Sequence, residues 1–408
     1  MNNQIQNQIQ IRRQRGQAIA QTKKVAMKDG IWIVPSQSNP KQVYKVELRI
    51  DGAKCTCQDF ASRGIKCKHI FAVEITVEKQ VNLDGSTTIT QTKKITYPQN
   101  WSAYTKAQNE EVKLFDELLK DLVQNVDEPV RVGAGRPRVP LREGIFCAIQ
   151  KVYSQLSSRR AYSLYRNAQG KEQIEKAPAY NVINVLLNRA DITPALKELL
   201  EITALPLRSV ETQFAIDSTG FRTTKFGEYC HIKYKTLQRH RWLKAHLCIG
   251  TKTNVITAVE ITDENGADCP QFKPLVETTY QNGFDMKEVS ADKAYSSRDN
   301  LNVVGEKGGV AYIPFKSNAV GNPRGKGRLW RNMFYYFQMH QEDFMEHYHK
   351  RSNVETTNMA IKTKLGDCLK NKNFVSQTNE LLCKLIAYNI TVLISAIYEL
   401  GIKPNLIS

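Results

Sequence analysis

The stretch that decides the fold is His347–Lys364, HYHKRSNVETTNMAIKTK, and within it Tyr348, Arg351, Glu355 and Lys362. At about 100° per residue, offsets of three, seven and fourteen from Tyr348 fall within roughly 60° of arc, so a helix puts all four on one face. That face is cationic around a single carboxylate. A solvated, salt-bridged helix surface carries the same pattern, so the segments upstream have to show what the face is for.

Upstream, VETQFAIDSTGF is an apolar run ending in Asp217, followed by small and hydroxyl residues. RWLKAHLCIG and NVITAVEIT make a hairpin around TKTN, and Cys269–Asn282 has a helical pattern. MKEVSADKAY is a short strand ending near Asp292, SSRDNLNVVGEKG is helical and GVAYIPFKSN is a fifth strand. The basic loop GNPRGKGRLWR then leads into the helix of Glu355. Taken singly, either aspartate reads as a turn or helix-capping residue. The element order, however, is that of the ribonuclease H-like fold: an α/β domain with a mixed five-stranded sheet and flanking helices. Such a fold sets the first strand at the sheet centre, next to the fourth, and makes Asp217 and Asp292 neighbours. Three carboxylates at one edge repel each other unless divalent cations neutralise them, and hard oxygen ligands favour Mg²⁺ or Mn²⁺.

The spacing Y-x2-R-x3-E-x6-K, with the upstream aspartates, resembles the signature of DDE transposases of bacterial insertion sequences, and the resemblance spans the chain from Val210 onward. It implies that Asp217, Asp292 and Glu355 hold two catalytic metal ions, that Arg351 and Lys362 clamp DNA phosphates and that Tyr348 hydrogen-bonds one. It implies hydrolytic nicking at the element end, then attack of the freed 3′-hydroxyl on target DNA, with a homodimer holding two ends together. Some relatives carry a long β-rich insertion before the Glu helix. Here about twenty residues, Lys316–Tyr335, fill that gap, so hairpin formation on flanking DNA is not carried over. Trp330, between Arg328 and Arg331, either stacks on an unpaired base or packs on the surface. A DNA-binding protein without catalysis, and a metal-dependent nuclease, are the competing readings.

The N-terminal part carries a separate signal. After IWIV and VYKVELRI, two short β-rich runs, comes CTCQDFASRGIKCKHIFAVEI. Cys55, Cys57, Cys67 and His69 form C-x-C-x9-C-x-H, the ligand number and type of a closed tetrahedral zinc site, with Cys67 and His69 at the start of a helix. This resembles the SWIM zinc finger. A closed site implies a structural Zn²⁺ and a role in recognition, not zinc catalysis. ITVEKQVNL and TTITQTKKITY read as a hairpin around Asp84-Gly85. Ser102–Val123 is amphipathic, with Val112, Phe115, Leu118, Leu119 and Leu122 at helical spacing. GAGRPR, Gly133–Arg138, marks a break: a linker, or arginines for a narrow minor groove. Leu141–Gln155, Arg159–Arg166 and Ala179–Arg189 are helical, with Pro178 suited to the first turn of the third. They could form a helix-turn-helix-like module presenting Tyr180, Asn181, Asn184 and Arg189 to DNA.

Composition narrows the partners. A chain of 408 residues with net charge +18 favours a polyanion through counterion release, nucleic acid before membrane. Nine cysteines, mostly single, fit a reducing compartment. The N-terminus lacks a secretory pattern, and the apolar segment Leu381–Leu400 is interrupted by Lys384, Asn389 and Glu399, so it reads as a core helix. A cytoplasmic, nucleoid-associated protein is expected. The expected organisation is a basic flexible arm (1–28), a SWIM-type module (29–98), a helical DNA-binding region (99–208), a ribonuclease H-like catalytic domain (209–370) and a C-terminal helix (371–408) packing on the core.

Overall fold

A computed structural model describes residues 2–28, 30–37, 39, 42–49, 52–81, 87–91, 100–130, 138–223, 242–321 and 327–407. The Asp84-Gly85 turn, most of the Gly133–Arg138 motif and part of the basic GNPRGKGRLWR loop lie outside them. The chain divides into two compact units, Met1–Pro98 and Gln99–Ser408.

In the first unit, β1 (Ala26–Lys28), β2 (Ile31–Pro35), β3 (Val43–Arg49) and β4 (Gly52–Cys55) form an antiparallel meander in sequence order. Helices α2 (Gln58–Arg63) and α3 (Lys68–Thr76) follow, then the hairpin β5 (Val77–Val81) and β6 (Thr87–Gln91). The expectation of a flexible arm at the N-terminus is corrected: residues Asn2–Thr22 form helix α1, which packs on α3. Periodicity misses it because few of its residues are apolar. Ile19 is nevertheless fully buried, and Arg12 donates to both carboxylate oxygens of Asp59 at 3.0 and 3.2 Å. Gly16 permits the crossing, since a Cβ there would stand 2.6 Å from the Cβ of Phe71.

The second unit opens with α4 (Trp101–Leu122), α5 (Leu141–Tyr153), α6 (Ser158–Gly170), α7 (Tyr180–Leu187) and α8 (Thr193–Ala204). Phe115, Leu118, Leu119 and Leu122 of α4 enter the core as their spacing predicts, but Val112 is exposed. Pro178 precedes the α7 cap residue, Ala179, and lies outside the first turn. Next come β7 (Gln213–Arg222), β8 (Trp242–Gly250), β9 (Ile256–Asp263), α9 (Phe272–Gln281), β10 (Glu288–Ala291), α10 (Arg298–Glu306) and β11 (Val310–Tyr312). The sheet order is β11-β10-β7-β8-β9; β10 and β11 run parallel to β7, β8 is antiparallel to β7, and β9 is antiparallel to β8. This is the mixed five-stranded, ribonuclease H-like arrangement, with the first strand central and beside the fourth. Helices α11 (Arg328–Met339), α12 (Gln341–Tyr348), α13 (Ser352–Leu365) and α14 (Phe374–Leu400) complete the unit.

Among the described residues, α14 is the one helix long and apolar enough to cross a membrane, and 83% of its apolar window is buried inside the protein. Its polar interruptions are tied into the fold. Asn389 accepts from the Ile256 amide at 2.9 Å and donates to the Ile256 carbonyl at 2.8 Å and to Thr203 Oγ1 at 2.9 Å. Lys384 Nζ donates to the carbonyls of Gly366 and Cys368, at 2.7 and 3.0 Å, just past the end of α13. Buried polar groups satisfied in this way fix register where apolar packing alone would tolerate sliding.

Candidate active site and metal centre

Strand register assembles the first two acids. Ala291 pairs with Ile216 in the parallel β7–β10 ladder, so the next residues along, Asp217 and Asp292, come side by side. Asp217 lies within β7, which runs on to Arg222, and not at the strand end that the sequence indicates. Its Oδ1 accepts the Ser218 amide at 2.8 Å. Asp292 directly follows β10 and caps the 3₁₀ turn Lys293–Tyr295, accepting the Lys293 amide at 2.5 Å.

The third acid arrives on α13, where Val354, Thr357, Ile361 and Leu365 recur on the buried side. Glu355 and Lys362 are thereby left on the outer face. Two anchors set the helix. After its end, the chain pairs with the last residue of β7: the Arg222 amide donates to the Asp367 carbonyl at 2.9 Å, and the Leu369 amide to the Arg222 carbonyl at 2.8 Å. Before its start, Glu288 of β10 accepts from Lys350 Nζ at 2.7 Å and pairs with His347 Nδ1 at 3.0 Å, while the His347 ring stacks on Tyr312 at 4.4 Å. Glu288, His347 and Lys350 are positioning residues that the sequence reading missed, because a strand-start glutamate has no signature of its own.

One continuous helix from Tyr348 to Lys362 is not what forms. Tyr348 ends α12, His349–Arg351 is a 3₁₀ turn and α13 begins at Ser352. The turn keeps right-handed helical dihedrals, so Arg351 still points along the Glu355 side. Its Nη1 donates to Asp217 Oδ2 at 2.7 Å and its Nη2 to Glu355 Oε1 at 2.6 Å. The guanidinium also lies 5.8 Å from the Tyr348 ring centroid. Thus Arg351, expected on phosphate, bridges two of the three carboxylates. Burial pushes Asp217 above the ordinary carboxyl range; the Ser218 amide and Arg351 oppose this, and the negative charges of Asp292 and Glu355 add to it. Burial likewise raises Tyr348.

Lys362 sits 5.5 Å from the Phe221 ring, and burial lowers its pKa against the pull of Asp367. It lines an open cleft with Glu355, Asn358, Met359, Thr363 and Asp367. Trp330 is occupied internally: its Nε1 donates to the Val320 carbonyl at 2.8 Å and its ring meets Phe315 edge-on at 4.8 Å. Of the four residues expected to contact DNA from the third helix, Asn184 accepts from Lys151 and Ser158, both at 2.9 Å, and Arg189 pairs with Asp191. Tyr180 and Asn181 remain exposed. Beside the acids, buried His246 lies 3.2 Å from Asp268, which also pairs with Lys244 at 2.6 Å. Burial pushes His246 down to about 4, so it is neutral at neutral pH. Nothing in the spacing signals this cluster.

The metal centre of the first unit is legible in full. One ligand atom from each of Cys55, Cys57, Cys67 and His69 lies within 4.8 Å of the others, and all four residues are buried. His69 Nδ1 stands 3.8 Å from Cys55 Sγ and 3.9 Å from Cys67 Sγ. A tetrahedron with Zn–S of about 2.3 Å and Zn–N of about 2.0 Å requires an S···N edge of roughly 3.5 Å, so the cage needs only a small contraction to hold zinc. Backbone amides of Cys57 and Phe60 reach Cys55 Sγ and Cys57 Sγ at 3.5 and 3.4 Å. Hydrogen bonding from Cys55 draws Cys67 down to about 4 against the cost of burial, with His69 and the Ile70 amide assisting. Tyr44 stacks on the His69 ring at 4.2 Å and holds its orientation.

Residues 208–390 match the family described as transposase DDE domain, and residues 41–78 match the SWIM zinc finger. Among solved structures, the chain is similar to piggyBac transposase in a cryo-EM synaptic complex with hairpin DNA, at 10% sequence identity and TM-score 0.35. That match covers 72% of this chain and 74% of the other. A likeness of that size carries no argument about this protein. The family matches and the Cys₃His cage agree with the fold: the chain carries a DDE-type transposase domain preceded by a SWIM zinc finger.

Proposed function

We propose that this protein is a DNA transposase of the insertion-sequence group with the Y-x2-R-x3-E-x6-K signature, cutting element ends and joining them to target DNA. The observation that carries the reading is the position of Arg351, bonded at once to Asp217 and Glu355 while Asp292 follows β10 beside Asp217. Three acids at one sheet edge demand a cation, and the guanidinium supplies one.

Asp217, Asp292 and Glu355 offer only hard oxygen donors, which suit Mg²⁺ or Mn²⁺. When bound, a pair of such ions supplies an activated water or 3′-hydroxyl and charge relief on the leaving oxygen. The protein's own groups do the rest. Asp217, raised by burial, has to be ionised to serve as a ligand, so activity falls on acidification at a higher pH than for an ordinary carboxylate. Arg351, one side-chain rotation from Glu355, exchanges a carboxylate for a DNA phosphate, and its fork geometry favours the bidentate contact. Lys362 holds a second phosphate as a point charge, and the Tyr348 hydroxyl, kept protonated by burial, donates to a third. None of these contacts reads sequence. Joining two element ends to one target requires two copies of the chain, so the reading implies a dimer or larger assembly on DNA.

The test uses purified protein, Mg²⁺ and a duplex carrying the inverted repeats that flank its gene. Joined product is expected, and Glu355→Gln should abolish it while leaving DNA binding in place. Cleavage without joining would make the protein a nuclease, and binding without cleavage would make it a non-catalytic DNA-binding protein; either result overturns the proposal.

A further inference from the structure

We propose that the outer face of α6, with the segment following α13, is a second phosphate-binding surface that carries duplex DNA away from the Lys362 end of the candidate active site. The inference rests on the transposase reading above and adds to it a surface that neither family match assigns.

Helix α6 has the sequence SRRAYSLYRNAQG, without a single acid. Its buried side is Ala161, Tyr165 and Ala168. On the opposite side, Arg159, Ser163 and Arg166 fall within about 60° of one another, flanked by Tyr162 and Arg160. All five are exposed. Among the described residues, none of the three arginines forms an ion pair. The Arg159 guanidinium instead lies 5.8 Å from the ring centroid of Tyr180, itself exposed at the start of α7. An unpaired, acid-free arginine row beside two exposed tyrosines is unusual for a merely solvated face, which normally interleaves charges.

Position gives the row its meaning. The turn before α6 is tied to the end of the signature helix: Gln155 Nε2 donates to the Lys364 carbonyl at 2.7 Å, and Lys370 Nζ donates to the Gln155 carbonyl at 2.5 Å. Asn373 donates to Asn188, just past α7, at 2.8 Å, which brings exposed Lys372 to the same edge. Cations thus continue from Lys362 through Lys370 and Lys372 to Arg159 and Arg160. Two acids lie along that segment: Asp367 pairs with Arg222 at 2.6 Å, and Glu380 is buried and accepts from the backbone amides of Lys370 and Asn371 at 2.8 to 2.9 Å.

Spacing suits a DNA strand. Arg159 to Arg166 spans seven residues, about 10 Å at 1.5 Å per residue. One strand of duplex DNA presents a phosphate roughly every 3.4 Å of axis, so the row covers about three phosphates. A contact of this kind carries no base readout. The surface therefore differs from a recognition helix in a major groove; on α7, Asn184 is held by Lys151 and Ser158, and just past it Arg189 is paired with Asp191.

The experiment measures binding of a fluorescein-labelled random-sequence duplex of about 40 base pairs at several salt concentrations. The variants are the full-length chain with Arg159→Gln, Arg160→Gln and Arg166→Gln together, the matching triple Lys variant, and a control, Lys106→Gln with Lys113→Gln on α4. The Gln triple should lower the slope of log affinity against log salt by about 2 to 3, since each phosphate contact contributes about 0.9. The Lys triple should restore most of that slope. The control pair should change it little. An unchanged slope in the Gln triple, or an equal drop in the control, overturns the proposed surface while leaving the transposase reading in place. Binding to phosphatidylserine vesicles that depends on the three arginines, with an unchanged DNA slope, would assign the face to a membrane and also overturn it. Failure of the unmodified protein to bind the duplex would refute the transposase reading itself.

Discussion

Replacing Arg351 with methionine separates the protein's own cation from the one its acids are proposed to bind. In the structure the guanidinium donates to Asp217 and Glu355 at 2.7 and 2.6 Å. Arg351 and Asp217 each retain 19% side-chain exposure, whereas Glu355 retains 59%. The enclosed bond carries most of the energy. Stranding a largely buried carboxylate costs about 2–3 kcal/mol, and the solvent-screened bond to Glu355 adds about 0.5 kcal/mol at most. Methionine keeps the aliphatic stem, so lost packing is small.

The penalty has a definite pH dependence. Asp217 already sits above the ordinary carboxyl range, and without the guanidinium it rises further. Between the unfolded and folded pKa values the native state holds a proton that the unfolded chain has lost, so stability falls as pH rises through that window. Below the ordinary carboxyl value both states are protonated and the penalty vanishes. Urea denaturation followed by far-UV circular dichroism should therefore show a larger deficit for Arg351→Met near pH 7 than near pH 4. At about 10 mM Mg²⁺ and neutral pH the variant should gain more stability than the unmodified protein, because no guanidinium has to leave the carboxylates. Equal stability near pH 7, or an identical response to Mg²⁺ in both proteins, would refute the account of the site.

Other outcomes follow from single contacts. Glu355→Gln removes one proposed metal ligand on an exposed side chain, so it should eliminate Mg²⁺-dependent DNA cleavage with unchanged urea stability; unaltered turnover would remove Glu355 from the active site. Chelating zinc, or Cys67→Ser, should unfold the Cys55–His69 region, read as loss of amide-exchange protection in α3, because the ten buried hydrophobic residues among those described in that unit make a small core. Stoichiometric metal analysis should give one zinc per chain, and its absence would sink the site. Asn389→Leu strands both the amide and the carbonyl of Ile256 in the core and should cost about 3 kcal/mol of stability in the second unit, measured by urea denaturation. A cost under about 1 kcal/mol would mean that apolar packing, not this amide, sets the register of α14 against β9.

How much of this was legible in the sequence depended on whether a feature was local. The zinc cage is local: four ligands within fifteen residues, on a strand end, a helix cap and a helix start, are determined by spacing, and the cage geometry follows. The sheet is also readable, since apolar runs such as FAID and EVSAD mark strands and element order prescribes their arrangement. Helix α1 was not, because its packing rests on Gly16, Ile19 and Arg12, three positions in a polar segment whose periodicity is too sparse to register. Val112 fits the apolar spacing of α4 yet is exposed, because spacing gives the angular position of a residue and not what covers it.

The acids illustrate the same limit at the level of chemistry. Sequence spacing places Glu355 and Lys362 on one face, and strand order makes Asp217 and Asp292 neighbours, but neither can say where a long side chain goes. Arg351 has a cationic head on a flexible stem, and its nearest partners are carboxylates 134 and 4 residues away. The 3₁₀ turn at His349–Arg351 is what lets it reach both, and that turn is held by Glu288, which no motif singles out. The structure shows the acids paired with the protein's own arginine, and the proposed function adds a second bonding state, with the acids on metal and the arginine on a phosphate. The Arg351 contacts of the first state, worth about 2–3 kcal/mol, are within the range that binding of metal and substrate can offset.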